Sequence, residues 1–441
     1  LKGGARPPST SAPRAGMSAG SARRRWVPKQ PQEAARPPEA EAADGARAPA
    51  GDASGSVSKD LAPDDLRAGL LAGPVSFGKN KYGQLGRTTP SGSSGAVVRM
   101  EGLAGAATVA SCGFDHSAVV AAGRLLLCGK DHRGQCGQPS SGRRGDKDEA
   151  DPSEDVLLPR PPAGLPPTSA VSSVACGGEH VVVLLEGGGV WALGENGSGQ
   201  CGVGAGGPKF CAAARQCARL GAASAVYAGF HHSAALSEGR LYVWGAGNQG
   251  QLGLGGRRDS PEPQLLDLGA PVQTAALGRW HSFAATAAAV WAFGWGRFGV
   301  LAQGDFADHR SPVCIEGLPG TASGLHCIVT GAVHCGAIVG AERQVLVWGR
   351  GQLGRLGLGS EANALRPTPL PGFKGVERLA MGGDFSAARL ADGSWHVWGK
   401  GEEGQLGLGD GDREKRVRPT PAPALQGAEL VALGDCHAIA L

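Results

Sequence analysis

The chain has 441 residues, of which 75 are glycine and 30 proline, with 41% apolar and only 5% aromatic. Its formal charge of +4 falls to +1 once residues 1–70 are set aside (32 Lys/Arg against 31 Asp/Glu), too little for the basic face that broad phosphate-backbone binding needs. No apolar run approaches the ~18 residues of a membrane helix, so no membrane span is expected.

Residues 1–70 are rich in Ala, Pro, Arg, Gly and Ser, without aliphatic periodicity. Such a segment cannot bury enough apolar surface to offset its ordering entropy, and it reads as a disordered leader. Residues 1–32 carry seven basic residues and no acid, the composition of an organellar transit peptide. A GC-rich genome would produce a similar tail without any targeting role.

From residue 75 onward a glycine motif recurs. Residues 245–250 read "GAGNQG", which alone would pass for a dinucleotide-binding turn. The same spacing returns at 294–299, 349–354 and 399–404, with looser relatives at 78–83, 129–134 and 194–199. The first glycines are Gly78, Gly129, Gly194, Gly245, Gly294, Gly349 and Gly399, at intervals of 51, 65, 51, 49, 55 and 50 residues. A period near 50 marks a repeat architecture. A cofactor-binding turn would open a helix, but "GAGNQG" runs into "QLGLGG", and glycine at every second position precludes one. These glycines read as turns, and no cofactor is assigned.

A second element keeps step with the first: "SCGFDHSAVV" (111–120), "ACGGEHVVVL" (175–184), "YAGFHHSAAL" (227–236) and four more, ending with "ALGDCHAIAL" (432–441). Each repeat then holds four short strands. One leads into G-x-x-H, one follows the His, one ends at the glycine motif, and one lies in the segment after "QLG". Four strands repeated seven times give an all-β, seven-bladed propeller over residues 71–441. The first repeat lacks its beginning and the last its end. Pairing the C-terminal strands with the N-terminal ones closes the ring and leaves no open sheet edge.

His116, His180, His232, His281, His334 and His437 share one repeat position, which Phe385 fills in the remaining unit. One histidine per blade cannot converge on a metal, and a phenylalanine serves as well, so a buried structural imidazole is expected. Phe77, Leu193, Trp244, Phe293, Trp348 and Trp398, with Cys128 in the second unit, end what reads as the inner strand and wedge between blades. A light-sensing or base-stacking role for the tryptophans is not expected, because the paired aromatic–arginine clusters it needs are absent. The 11 cysteines form no C-x-x-C pair; several stand at apolar repeat positions, including Cys112, Cys176, Cys136 and Cys201, and they read as reduced core residues.

Residues 138–170 form an insertion absent from the other units. Its charged stretch "GRRGDKDEADPSED" (142–155), with Arg143, Arg144, Asp146, Lys147, Asp148 and Glu149, is either a solvated loop or a partner-contacting one. Asp305 and Asp308 beside His309 read as ordinary inter-strand loop. No catalytic, cofactor-binding or metal residue is assigned.

"WGAGNQGQLGLG" and "WGKGEEGQLGLG", alternating with "CGxxHSxxL"-like segments, resemble the regulator of chromosome condensation (RCC-type) repeat family over residues 72–441. The resemblance implies a seven-bladed propeller used as a guanine-nucleotide exchange factor for a small GTPase, or as a protein-binding platform. The basic leader, "GQCG" at 134–137 and 199–202, and the long insertion resemble the mitochondrial RCC-like branch. That branch implies an organellar location. The alternative role is then a subunit of an organellar assembly such as the mitochondrial ribosome.

Overall fold

The computed structural model describes residues 73–88, 92–103, 106–138 and 155–441. The leader and the six charged insertion residues Arg143, Arg144, Asp146, Lys147, Asp148 and Glu149 lie outside the described residues.

The chain enters with β1 (Val75–Lys79) and β2 (Ser93–Arg99). The first complete blade is β3 (Ala107–Cys112), β4 (His116–Ala121), β5 (Arg124–Gly129) and β6 (Val156–Arg160). The second is β7 (Val171–Cys176), β8 (His180–Leu185), β9 (Val190–Glu195) and β10 (Phe210–Gln216). The third is β11 (Ala225–Ala228), β12 (His232–Ser237), β13 (Arg240–Gly245) and β14 (Ser260–Leu266). The fourth is β15 (Val272–Leu277), β16 (His281–Thr286), β17 (Ala289–Gly294) and β18 (His309–Pro319). The fifth is β19 (Leu325–Thr330), β20 (His334–Val339), β21 (Gln344–Gly349) and β22 (Ala364–Pro369). The sixth is β23 (Val376–Met381), β24 (Phe385–Leu390), β25 (Trp395–Gly399) and β26 (Arg416–Pro421). The chain ends with β27 (Val431–Leu433) and β28 (His437–Ala440). These form seven four-stranded antiparallel sheets, a seven-bladed β-propeller.

The seventh sheet runs β2-β1-β28-β27 and closes the ring. Its register sets Val75 opposite Ala440, Phe77 opposite Ala438 and Gly78 opposite His437. The two chain ends thus supply one blade in halves, and the strands that would otherwise be open edges are paired.

Within a blade, the strand before G-x-x-H is innermost. The seven such strands line an axial cavity of ≈ 330 Å³, with residues such as Val174, Ile328 and Leu379. The strand after the histidine is buried along its whole length in the first four blades. Neighbouring blades cover both its faces, which is why "HSAVVA" and "HSAALS" show no apolar–polar alternation. The strand bearing the large aromatics is third from the axis, where sequence reasoning put it inner. From there Trp244, Trp348 and Trp398, all buried, donate their indole N–H across the blade junction. The acceptors are the Gln200, Val300 and Arg355 carbonyls, each at 2.9 Å.

The recurring first glycine is dictated by its partner across the sheet. Gly78, Gly129, Gly194, Gly245, Gly294 and Gly349 pair with a histidine, and Gly399 pairs with Phe385. All seven have φ between 97° and 109°. A Cβ on any of them would lie 2.6–2.9 Å from the Cα of the paired residue. The spacing that mimics a dinucleotide-binding turn is the mark of a strand end pressed against the buried histidine strand.

The strict and looser motifs are two ways to cap one loop. Where the third position is Asn80, Asp131 or Asn196, its side chain accepts the N–H of Leu85, Cys136 or Cys201, at 2.7–3.0 Å. Where it is Gly247, Gly296 or Gly351, its N–H donates to Asp259, Asp308 or Asn363 twelve residues on. Asp308 is therefore a loop cap that also pairs with Arg257 at 3.0 Å, and Asp305 accepts the Ala307 N–H.

Candidate functional site: the face of the G-x-x-H turns

Six G-x-x-H turns and the matching Gly382–Phe385 turn ring one mouth of the axial channel. A Cβ on Gly113, Gly177 or Gly229 would lie 2.2–2.3 Å from its own blade's imidazole and 2.5–2.6 Å from the next turn's glycine carbonyl. Backbone hydrogen bonds join the turns head to tail at six of the seven junctions, as in Phe230 N to Gly278 O (3.2 Å) and Gly383 N to Gly434 O (2.9 Å). The junction between Gly278 and Gly331 carries no such bond among the described residues. The turns surround a cavity of ≈ 180 Å³.

Beneath the turns the histidines are fully buried and linked blade to blade. His180, His232, His334 and His437 each place Nε2 2.8–2.9 Å from the hydroxyl of Ser233, Ser282, Ser386 or Ser117 in the next blade. Those hydroxyls donate in turn to the Gln200, Gln251, Arg355 and Gln84 carbonyls, at 2.8–3.0 Å. A hydroxyl has one proton, so the imidazole must donate from Nε2 and the serine accepts. His281 meets Cys335 Sγ at 3.3 Å. His116 faces the second blade, where Val181 replaces serine, and neither of its ring nitrogens has a hydrogen-bond partner among the described residues. Phe385, the non-histidine member, meets a blade with Ala438 at the serine position.

These Ser–His contacts have the spacing of a nucleophile and its base, and sequence reasoning found none. Their chemistry is structural, because the hydroxyl proton is committed to a carbonyl and both side chains are closed to solvent. Burial lowers the imidazole pKa to about 4 for His116 and to about 3 for His232, His281 and His437. Burial also drives His180 and His334 well below the ordinary value. The ring is held neutral. Among the described residues no group of three His, Cys, Asp or Glu is placed to hold a metal. All 11 thiols are free, six of them buried; Cys136 and Cys201 have no exposure, whereas Cys112 and Cys176, expected in the core, are only partly buried because their innermost strands line the axial cavity.

What varies is the pair of residues between Gly and His, together with the loops after each third strand, all at the same end of the blades. Asp435 of the closing blade lines the cavity, while the first, second and sixth blades carry Asp115, Glu179 and Asp384 one turn position further on, next to the histidine or phenylalanine. Lys79 lies 2.8 Å from Asp115, and Lys130 lies 2.9 Å from Glu179. Buried Arg355 lies 2.8 Å from Asp384. Burial, with Glu179 nearby, raises the Glu195 carboxyl, and burial raises Asp435.

The third to fifth blades differ. Arg279 lies 4.5 Å from the Phe230 ring centroid and 4.9 Å from that of Trp280. Trp280 meets Trp295 edge-on at 5.0 Å, Trp295 meets Phe298 at 5.6 Å, and Arg350 stands 4.6 Å over Phe298. An aromatic–arginine cluster therefore exists, which corrects the expectation that such clusters are absent. Phe230, Arg279 and Trp280 come from the x-x positions of the third and fourth blades, and Trp295, Phe298 and Arg350 from the loops after the third strands of the fourth and fifth, so the packing of adjacent blades assembles them. Gln138 and Asp155, the described residues flanking the charged insertion, also border this face, because the loop from β5 to β6 leaves and re-enters at the histidine end.

The RCC1-like domain family matches residues 140–441. The chain belongs to that family. It is 36% identical over 225 residues to the "Ultraviolet-B receptor UVR8" of Arabidopsis thaliana, which covers 49% of this chain and 50% of the receptor. It is 30% identical over 341 residues to the "X-linked retinitis pigmentosa GTPase regulator" of Homo sapiens, covering 62% of this chain and 31% of the regulator. The chain thus spans half or less of these curated relatives. Among solved structures, human WBSCR16 superposes with a TM-score of 0.69 at 24% identity, over 83% of this chain and 98% of that one. That likeness concerns the fold.

Proposed function

We propose that this RCC1-like propeller is a protein-interaction module that regulates a small GTPase through the face of the G-x-x-H turns. The observation that carries this reading is a division of labour. The repeated Gly and His are consumed in closing and joining blades, while the residues between them change from blade to blade, and several of them, among them Phe230, Arg279, Trp280 and Asp435, are partly exposed at one mouth. A rigid ring presenting variable loops suits protein docking. The relative named a GTPase regulator, 30% identical, supports a GTPase as the partner. Exchange would need no covalent chemistry. A propeller that binds the nucleotide-free GTPase more tightly than the loaded form expels nucleotide by linkage.

The test is capture of small GTPases on the immobilised chain with excess GDP and with EDTA, followed by release of fluorescent GDP from any GTPase captured. Preferential capture on nucleotide stripping, with accelerated release, supports the reading. Capture indifferent to nucleotide, or co-sedimentation with a large organellar particle, assigns the ring to assembly instead.

Organellar targeting by residues 1–70 is a separate proposal resting on composition. Imaging a fusion of that segment to a fluorescent protein tests it, and diffuse cytosolic signal would refute it.

A further inference from the structure

Arg279 lacks the partner that its neighbours have. Of the cations near the mouth, Lys79, Lys130 and Arg355 each hold a carboxylate within 3 Å. Arg279 has no carboxylate within 4 Å among the described residues, and its inaccessible Nε makes no hydrogen bond. Its guanidinium rests instead on Phe230, Trp280 and, at 5.9 Å, Phe114. Such stacking fixes the planar fork in place and leaves its charge intact. It also sits at the Gly278 to Gly331 junction, the one turn junction without a backbone hydrogen bond among the described residues.

Two observations limit what could occupy this place. The ≈ 180 Å³ cavity is smaller than the ~300–1,000 Å³ typical of cofactor and small-molecule sites, and suits the tip of a side chain. Asp435 lines the same cavity, and Lys79, Lys130 and Arg355 are already paired with Asp115, Glu179 and Asp384, so a nucleic-acid backbone with a charge on every residue would meet a carboxylate in the cavity and neutralised cations at the neighbouring turns. A single carboxylate beside apolar groups satisfies both limits.

We propose that the third-to-fifth-blade sector docks an acidic segment of a protein partner, one carboxylate of which pairs with Arg279 over the axial mouth while adjacent apolar side chains pack on Trp295 and Phe298. The inference rests on the reading that this face docks protein, and it names the chemistry of the docked segment. The carboxylate would form a charge-assisted, two-pronged pair with a guanidinium already stripped of much of its water. A buried pair of this kind governs dissociation more than encounter.

The test uses the full chain and a phage-displayed library of random dodecapeptides. Enriched peptides are then synthesised and titrated by fluorescence anisotropy against the intact chain and against Arg279→Met, Arg279→Lys and Arg240→Met. Arg240 starts β13 at the opposite end of the blades. The proposal expects a shared Asp or Glu, at least about tenfold weaker binding when that residue becomes Asn or Gln or when Arg279 becomes Met, an intermediate loss for Arg279→Lys, and none for Arg240→Met. A consensus without acid, equal binding by Arg279→Met, or no enrichment overturns it. Should Arg279→Met unfold early by thermal denaturation, Arg279→Lys with the Asp/Glu substitutions decides. A GTPase that binds the intact chain and Arg279→Met equally would refute this inference and leave the proposed function standing. Acidic peptides that bind while no GTPase does would do the reverse.

Discussion

Acidification should unfold the ring through its histidines, and one paired substitution should blunt that effect by a predictable amount. Burial holds the folded-state pKa of His232 near 3, whereas in the unfolded chain it returns to about 6.5. The unfolded state therefore binds the extra proton below pH 6.5. The stabilisation is fully present above that pH and is lost as pH falls toward the folded value. Between pH 7.5 and pH 5 the loss is about 2 kcal/mol per imidazole. Six such residues together approach the whole stability of an ordinary domain, about 5–15 kcal/mol. The chain contains its own template for removing one of them, because Phe385 faces Ala438 where histidines face serine. His232→Phe with Ser282→Ala copies that pair at the junction of the third and fourth blades, where Nε2 and Oγ now stand 2.8 Å apart. Urea unfolding at half-unit steps from pH 7.5 to pH 5 is the assay. Whatever its stability at pH 7.5, the double variant should lose about 2 kcal/mol less than wild type over that range. Parallel profiles would show that the imidazole is not kept neutral by the fold and would refute the reasoning.

Three further substitutions probe the blade junctions. Trp398→Ala removes a fully buried indole and its 2.9 Å bond to the Arg355 carbonyl, and should cost about 3–5 kcal/mol in urea unfolding. Val181→Thr is nearly isosteric and offers His116 the hydroxyl that other histidines have. It should be neutral or stabilising by about 1 kcal/mol, while Val182→Thr, in a packed cluster with no such partner, should destabilise. Ala302 stands at φ 60° where the matching residues of other repeats, such as Gly202 and Gly253, are glycine. Ala302→Gly should therefore raise stability by about 0.5–1 kcal/mol, seen as a Tm a few degrees higher or less.

The repeat period, the four strands and the split seventh blade were legible because each rests on local chemistry: a glycine where a Cβ would strike a paired backbone, and a small-residue strand flanked on both faces. Strand order from the axis was less legible. "LYVWG" and "YAGFH" are both short and apolar, and nothing local says that Trp244 sits third while Val226 faces the channel. The Arg279 cluster was only partly legible: Arg279 and Trp280 are neighbours in "GRWH" and could have been read as a pair, whereas Phe114 and Phe230 come from two other repeats and reach Arg279 only through ring geometry. The Ser–His links were hidden for the same reason: His232 and Ser282 are 50 residues apart, and each looks like half of an ordinary "HS" dipeptide.

Everything rests on a ring closed by the pairing of β1 with β28. Amide hydrogen exchange of the intact chain, and of one lacking residues 427–441, measures that pairing directly. Residues 75–79 and 437–440 should exchange as slowly as the interior strands of the complete blades, and deletion should expose 75–79 within the dead time. Rapid exchange at 75–79 in the intact chain, or protection there that survives the deletion, would contradict the closed propeller.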